Sequence, residues 1–273
     1  MSRAVNAETA ARVLELSGFT VDQYLELEAL AEADDAVVYL SGSIVTGQAN
    51  PWSDIDVFVV SDREPHSDFV MPATTNVVVP HLLPGRRIDF EYWKPSMVDS
   101  MAERLEAHKF ASGESIQGAT FMQIELIFIH RVRIGIPLLD PSGFDELWRR
   151  FDYGRLASFL TEEAIRHLDA EVEDLIGMHK GGDRDTAIWV ARQVLDVSVQ
   201  AYLHSTGITD PVAKWTMRYL EALDPSPDHD RLRRDYWRLA HPGTSQELRG
   251  GDWRSYAEDV LEFANWTNVL TQG

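Results

Sequence analysis

The spacing of apolar residues changes several times in the first half of the chain, as expected where helices and strands alternate. Repeats of three and four predict helices over residues 7–16 and 21–33. Short β-branched or strictly alternating runs then predict four strands, at residues 36–40, 54–60, 76–79 and 87–93. We expect Pro80 to end the third strand and Pro95 to begin a helix that reaches about His108.

In the second half of the chain, the apolar residues keep the same helical spacing throughout. From Phe144 onward, apolar residues recur every three or four positions, which is typical of helices that bury one face. Glycine and proline separate these segments, so five or six helices are expected. The pattern therefore predicts an α+β protein. A small mixed β-sheet domain, residues 1–140, is followed by an all-α helical bundle domain, residues 141–273.

Charge narrows the range of partners. The 273 residues include 44 acidic and 25 basic side chains, which gives a formal net charge of −19 at pH 7. Binding to long nucleic acids or anionic membranes needs clustered Lys and Arg, so we expect neither partner. A cationic small molecule, or a nucleotide that arrives with a divalent metal, is a more suitable partner for the negative electrostatic field of this protein.

Composition and the N-terminal residues favour a cytoplasmic protein. The chain has no cysteine, which excludes disulfides, thiolate zinc sites and cysteine nucleophiles. The first residues contain no apolar segment of the kind that directs secretion. The longest apolar stretch, residues 121–139, is interrupted by Glu, His and Arg and is too polar to span a bilayer. We expect a cytoplasmic monomer or homodimer.

A short turn after the first predicted strand has the composition of a phosphate-binding site. Gly42 and Ser43 form this turn, and we expect it to open a short helix whose backbone N–H groups and dipole face an anion. Gly42 lets the backbone approach a phosphate closely, and Ser43 adds a hydroxyl donor. The pair therefore predicts contacts to the phosphates of a nucleotide.

Acidic residues on the later strands predict a metal site. Asp54 and Asp56 lie two residues apart, so a strand presents both carboxylates on one face. Two adjacent carboxylates do not easily both stay ionised and unpaired, and Mg²⁺, which prefers carboxylate and phosphate oxygens, resolves that conflict. A site with two such ions commonly uses a third carboxylate. Asp89 is the main candidate, and Glu91 on the same face is the alternative.

This arrangement predicts nucleotidyl transfer. A substrate hydroxyl would attack the α-phosphate of a nucleoside triphosphate in line and expel pyrophosphate, with two Mg²⁺ ions as cofactors. Asp54, Asp56 and Asp89 would bind the metal, and Asp89 would also take the proton of the hydroxyl. These three aspartates are therefore the predicted catalytic residues.

The motif resembles that of a known family. Gly42-Ser43, a gap of ten residues and then Asp54-Ile55-Asp56 resembles the signature of the polymerase-β-like nucleotidyltransferases. When Gly47 and Pro51 are included, the spacing of these motif residues is similar to that in aminoglycoside adenylyltransferases of the streptomycin/spectinomycin type. Their base is a Glu on a strand that corresponds to Ile88-Asp89-Phe90, where this chain has the shorter Asp.

The resemblance implies a particular reaction and further contacts. It implies that residues 1–140 are a nucleotidyltransferase domain that moves AMP from ATP to a hydroxyl of a small acceptor. The leading acceptor is an aminoglycoside-like antibiotic. The resemblance also implies that Arg192 and Lys214, in the helical domain, contact the phosphates of ATP.

Two other functions remain open at this stage. A protein AMP-transferase of the antitoxin kind would modify a Tyr or Ser of a partner protein. A non-catalytic nucleotide-binding module of the same fold would bind a nucleotide without transferring it. The acceptor, the nucleotide base and the biological role, whether resistance, biosynthesis or regulation, are open as well.

Overall fold

In the computed structural model, the described strands all lie before residue 140 and the described elements after it are helices, which confirms the predicted α+β class. The structure describes residues 4–27, 30, 35–63, 65, 71–72, 75–83, 86–110, 120–242 and 253–272. Contacts between Cα atoms divide the chain into two units, Met1–Asp152 and Tyr153–Gly273.

The first unit is built around a mixed sheet. Its described strands are β1 (Val37–Ser41), β2 (Ile55–Val60), β3 (Met71–Pro72), β4 (Val77–Leu83), β5 (Arg86–Trp93) and β6 (Ile136–Leu139). The strand order is β3-β4-β5-β2-β1-β6. β2 and β5 are parallel, and the other neighbouring pairs are antiparallel. The described helices of this unit are α1 (Ala7–Ser17), α2 (Val21–Leu25), α3 (Pro95–Ala107), α4 (Gln123–Arg133) and α5 (Pro141–Arg149).

One face of the sheet packs on α1 and α2. Every second residue of the central strands is buried in this aliphatic core, namely Val38, Leu40, Ile55, Val57, Val59, Ile88 and Phe90. The two helices contribute Val13, Val21 and Tyr24 to the same core. The period of two thus directs the intervening residues of β2 and β5, the acidic ones among them, to the opposite face.

Aromatic side chains pack the opposite face. The ring of Tyr39 stacks on that of Phe58 with 5.2 Å between centroids. Phe128 of α4 lies 4.4 Å from the ring of Trp93, so α4 packs over β5 on this side. The acidic positions of β2 and β5 therefore lie on the face of the sheet that α4 covers.

Two elements differ from the sequence prediction. The third strand was expected to end at Pro80, but β4 continues to Leu83, and Pro80 lies opposite Asp89 of β5. The described strand on its other side, β3, pairs with Val77 and Val78 and not with Pro80, so the missing N–H disrupts no described ladder there. The predicted helix over residues 21–33 ends at Leu25, and residues 28–29 and 31–34 lie outside the described part.

The first unit extends beyond the predicted domain boundary at residue 140. β6 pairs with β1, and α5 contacts β1, α4 and β6. Both elements therefore belong with the sheet, and the unit continues to Asp152.

The described part of the second unit is helical. It consists of α6 (Tyr153–Gly181), α7 (Arg184–Ser205), α8 (Thr216–Ala222), α9 (Pro227–Ala240) and α10 (Trp253–Gln272), with a short 3₁₀ helix before α8. α7 contacts each of the other four helices, and its Val194 is buried with Leu175, Leu220 and Val260 in one apolar core. None of the described helices is both long and apolar enough to cross a membrane.

Candidate active site

The end of β1, the beginning of β2 and the middle of β5 bring the predicted acidic residues together. β1 pairs with β2, and β2 with β5, so that Ser41, Asp56 and Asp89 lie side by side on three adjacent strands. Because neighbouring strands lie about 4.8 Å apart, these residues form one short row across the sheet. Asp54 immediately precedes β2 and alternates to the same face as Asp56.

Gly42 directly follows β1 and packs against the central aspartate. Its φ of +89° lies in the left-handed region, which favours glycine. A Cβ atom at this position would lie 2.0 Å from Oδ2 of Asp56. Glycine therefore lets the backbone of the turn and the Asp56 carboxylate come into contact.

The turn after Gly42 is compact, but it is not the short helix that the sequence predicted. The Val45 amide donates to the carbonyl of Gly42 at 3.1 Å, and the Gln48 amide donates to the carbonyl of Ser43 at 2.9 Å. Gly47, with a φ of +71°, leaves the right-handed helical region and ends the turn. Ser43 thus lies in a series of tight turns and not at the start of a helix.

Arg87 joins two of the three aspartates. Its Nε donates to Oδ1 of Asp89 at 2.8 Å, and its Nη2 contacts Oδ2 of the same carboxylate. The same Nη2 lies 3.2 Å from Oδ2 of Asp54. The hydrogen bond to Asp89, followed by the charges of Asp89, Asp54 and Asp56, raises the pKa of Arg87 above its usual value. One guanidinium therefore contacts two of the three predicted metal ligands.

Arg131, on α4, supplies a second cation. Its Nη2 lies 3.9 Å from Oδ2 of Asp56. The hydroxyl of Ser41 donates to the carbonyl of Arg131 at 2.8 Å, which ties the end of β1 to α4. The aspartates of the site are thus approached by one arginine from β5 and another from the helix above the sheet.

Glu91, the alternative third carboxylate, lies further along β5 on the same face as Asp89. Its Oε2 accepts a hydrogen bond from Nδ2 of Asn76 at 3.1 Å. Burial raises the pKa of Glu91 to about 7, and the charge of Asp56 contributes, while Arg131 and the Asn76 hydrogen bond act in the opposite direction. Burial therefore favours the neutral form of Glu91 more than that of an exposed carboxyl.

The sequence pattern indicates the acidic residues of the site but neither of its arginines. Arg87 lies two residues before Asp89 on an alternating strand, so the period that directs Asp89 and Glu91 to one face could have identified it. Arg131 gives no comparable signal, because its approach to Asp56 depends on how α4 packs over the sheet.

The residues have the chemistry that a divalent cation needs, although the side chains do not yet form a complete metal site. Carboxylate oxygens are the ligands that Mg²⁺ prefers, and Asp54 and Asp89 already contact a shared cation, the guanidinium of Arg87. In the part of the chain that the structure describes, no three His, Asp or Glu side chains are grouped closely enough to hold a metal ion.

Arg192 and Lys214 both lie in the second unit, with exposed side chains. Arg192, on α7, interacts with Asp196 one turn further along and with the hydroxyl of Tyr256. The Nζ of Lys214 lies 5.0 Å from the centre of the Trp215 ring. Their contact with the phosphates of ATP stays a prediction.

Comparison with known proteins supports nucleotidyl transfer as the general activity. Residues 25–103, just over a quarter of the chain, match the family model of the nucleotidyltransferase domain. The matched stretch contains Gly42, Ser43 and the three aspartates. No curated protein matches the chain.

One solved structure is also similar to this chain. The crystal structure of a nucleotidyltransferase-like protein from Exiguobacterium sibiricum is 13% identical in sequence and gives a TM-score of 0.46. The match covers 98% of this chain and 75% of that one. A likeness at this distance does not bear on the activity.

Proposed function

We propose that this protein moves AMP from ATP to a hydroxyl group of a small acceptor and releases pyrophosphate. The observation that carries the proposal is that Asp56 and Asp89 lie side by side on adjacent strands, that Arg87 joins Asp54 to Asp89, and that Gly42 packs against Asp56. The match to the nucleotidyltransferase domain supports the general activity. The resemblance of the Gly42–Asp56 motif to the aminoglycoside adenylyltransferases supports ATP as the donor.

In this proposal, Asp54, Asp56 and Asp89 would hold two Mg²⁺ ions. Bound Mg²⁺ neutralises charge on the triphosphate and makes the α-phosphorus more open to attack. Gly42 and Ser43 bind the phosphates through the backbone and the hydroxyl of the turn. Because the turn contacts the central aspartate, it would hold the phosphates next to the carboxylates.

Asp89 is the proposed base for the acceptor hydroxyl. It lies in register with Asp56 on the neighbouring strand, and its carboxylate carries two contacts from Arg87. Glu91 lies one alternation further along β5 and is held by Asn76, so we assign it a structural role. Glu91→Gln should therefore retain turnover, whereas Asp89→Asn should lose it.

The acceptor is proposed to be cationic, with an aminoglycoside-like antibiotic as the leading candidate. The motif resemblance supports this class, and so does the net charge of −19, which attracts cations to the protein. Arg192 and Lys214 are the proposed phosphate contacts from the second unit.

The proposal can be tested with the full chain, Mg²⁺, ATP and a panel of hydroxyl compounds that includes aminoglycosides. The readouts are pyrophosphate release and the mass of an adenylylated product. Gly42→Ala would push the Asp56 carboxylate away, because its Cβ would lie 2.0 Å from Oδ2. We expect turnover to fall by roughly 100-fold, the upper range for losing support of a metal ligand.

Gly47→Ala is the matched control. Gly47 also has a positive φ, but nothing lies within 4 Å of its added Cβ. Both variants should lose about 1–2 kcal/mol of stability from backbone strain, and Gly47→Ala should keep its turnover. Equal turnover in the two variants would contradict the role of the Gly42–Asp56 contact.

Other results would identify the alternative functions. Nucleotide binding with no pyrophosphate release from any nucleoside triphosphate and acceptor would favour a non-catalytic module. AMP found on a Tyr or Ser of a partner protein, and on none of the small acceptors, would favour a protein AMP-transferase.

A further inference from the structure

The guanidinium of Arg87 takes the place between two of the proposed metal ligands. Nη2 of Arg87 contacts Oδ2 of Asp54 and Oδ2 of Asp89 at the same time. Both of these oxygens belong to the carboxylates that the proposed function assigns to Mg²⁺. A divalent cation bound by the same two oxygens would have to approach the position that this nitrogen now holds.

The carboxylates of the site are aligned by the backbone, but their side chains are not grouped as in a filled metal site. Among the residues that the structure describes, no three acidic or His side chains are close enough to form a metal site. The backbone, however, already aligns Asp56 with Asp89 on adjacent strands. The strands thus hold Asp56 and Asp89 side by side, while the side chain of Arg87 lies between Asp54 and Asp89.

The arginine is able to leave while the strand stays in place. The Cα of Arg87 is paired with Leu82 in the β4–β5 ladder, so the backbone is held. Its side chain is 48% exposed, and its long flexible stem can carry the guanidinium into solvent without disturbing the core.

We propose that Arg87 is a resident counter-ion that competes with the divalent cation for Asp54 and Asp89 and withdraws when the metal binds. The proposal rests on the proposed function, because it takes these two aspartates as metal ligands. In the absence of metal, the guanidinium reduces the repulsion between the carboxylates. The positive charge of the guanidinium opposes the binding of a metal ion. Arg87 therefore sets the metal concentration at which the site fills.

The test measures metal affinity without nucleotide, using Mn²⁺ as a paramagnetic substitute for Mg²⁺. Free Mn²⁺ is followed by electron paramagnetic resonance during titration of the full chain. Arg87→Met should bind Mn²⁺ roughly tenfold more tightly than the wild type. A neighbouring positive charge lowers the affinity of a carboxylate for a proton by at least that factor, and a metal cation meets the same opposing charge. Arg87→Lys, which keeps the charge, should stay close to the wild type.

Arg86→Met is the matched control. Arg86 precedes Arg87 on β5 and therefore alternates to the other face, where its Nη1 donates to the carbonyl of Ser17 at 3.0 Å. This variant should bind Mn²⁺ like the wild type. Circular dichroism and thermal unfolding, with and without Mn²⁺, identify any variant that fails to fold. Mn²⁺ should raise the unfolding temperature of Arg87→Met by more than that of the wild type.

The outcomes separate this inference from the proposed function. If Arg87→Met binds Mn²⁺ no more tightly than the wild type, while Asp54→Asn and Asp89→Asn weaken binding, the metal site stands and the competition by Arg87 is refuted. If none of the folded proteins binds Mn²⁺, the competition and the metal-dependent function both fail. If Arg87→Met binds more tightly but no acceptor yields pyrophosphate, the inference stands and the proposed reaction fails.

Discussion

Burial shifts individual ionisable residues toward their neutral forms in both units. In the first unit, it raises the pKa of Glu91 to about 7. In the second unit, it lowers the pKa of His204, although the hydrogen bond to Ile208 and the charge of Asp210 act in the opposite direction. His204 stays satisfied, because Nδ1 donates to the carbonyl of Ile208 at 2.7 Å. Each residue keeps a partner while its charged form is disfavoured.

Because the pKa of His204 is lowered in the folded protein, we expect the second unit to lose stability in mild acid. Its pKa is lower in the folded protein than in the unfolded chain, so the unfolded chain binds more protons as the pH falls below about 6.5. The stability is fully present above that pH and declines as the pH falls through the folded pKa. His204→Asn, which keeps an N–H donor but does not titrate, should show a weaker decline in the free energy of unfolding between about pH 7 and about pH 5.

The measurement is urea unfolding over this pH range, and Leu220→Ala is its control. Leu220 is fully buried in the same core as Leu203, next to His204. Its truncation should cost about 2–4 kcal/mol at every pH and leave the decline in acid unchanged. The same decline in His204→Asn as in the wild type would show that another group is responsible.

A buried ion pair joins α3 and α4, two helices of the first unit. Glu125 of α4 is 4% exposed, and both of its carboxylate oxygens contact the guanidinium of Arg104 on α3. Oε2 of Glu125 also accepts the Met122 amide at 2.8 Å, at the beginning of α4. Since α4 carries Arg131 to the candidate site, this pair helps to hold a helix that the site needs.

Arg104→Met should be strongly destabilising. It leaves the Glu125 carboxylate buried without its cation, which costs roughly 3 kcal/mol. Arg149→Met on α5 is the control, because Arg149 and Asp145 are both largely exposed and 3.8 Å apart. Its loss should stay within about 1 kcal/mol. Urea unfolding of the two variants in one buffer makes the comparison, and equal losses would argue against a special role for the buried pair.

Local patterns predicted the elements well where the element depends on its own sequence. β5 alternates through Trp93, and α3 begins at Pro95 as expected. The parallel pairing of β2 with β5 is different, because strands of the same direction need an intervening crossover and no local signal states which strands meet. The turn after Gly42 was predicted to open a short helix. The chain leaves the helical conformation at Gly47, which has a positive φ, and the sequence does not state which glycines adopt one.

At the scale of the whole molecule, composition indicated the candidate site only in part. A net charge of −19 made cation binding a reasonable expectation, and the candidate site does contain four carboxylates, Asp54, Asp56, Asp89 and Glu91. Arg87 and Arg131 offset part of that charge locally. A total charge does not predict such pairing, because pairing depends on strand register and helix packing.

The net charge leads to a prediction about the proposed cationic acceptor. The Debye length falls from about 30 Å at 0.01 M salt to about 8 Å at 0.15 M, so most of the attraction from distant carboxylates disappears over this range. The affinity of the full chain for a polycationic aminoglycoside, measured calorimetrically, should therefore weaken roughly tenfold between about 10 and 150 mM KCl. An uncharged polyhydroxyl compound is the control and should bind equally at both concentrations, and urea unfolding at each salt concentration excludes a change in the fold. Salt-independent binding of the cation would mean that short-range contacts, and not the acidic field of the protein, select the acceptor.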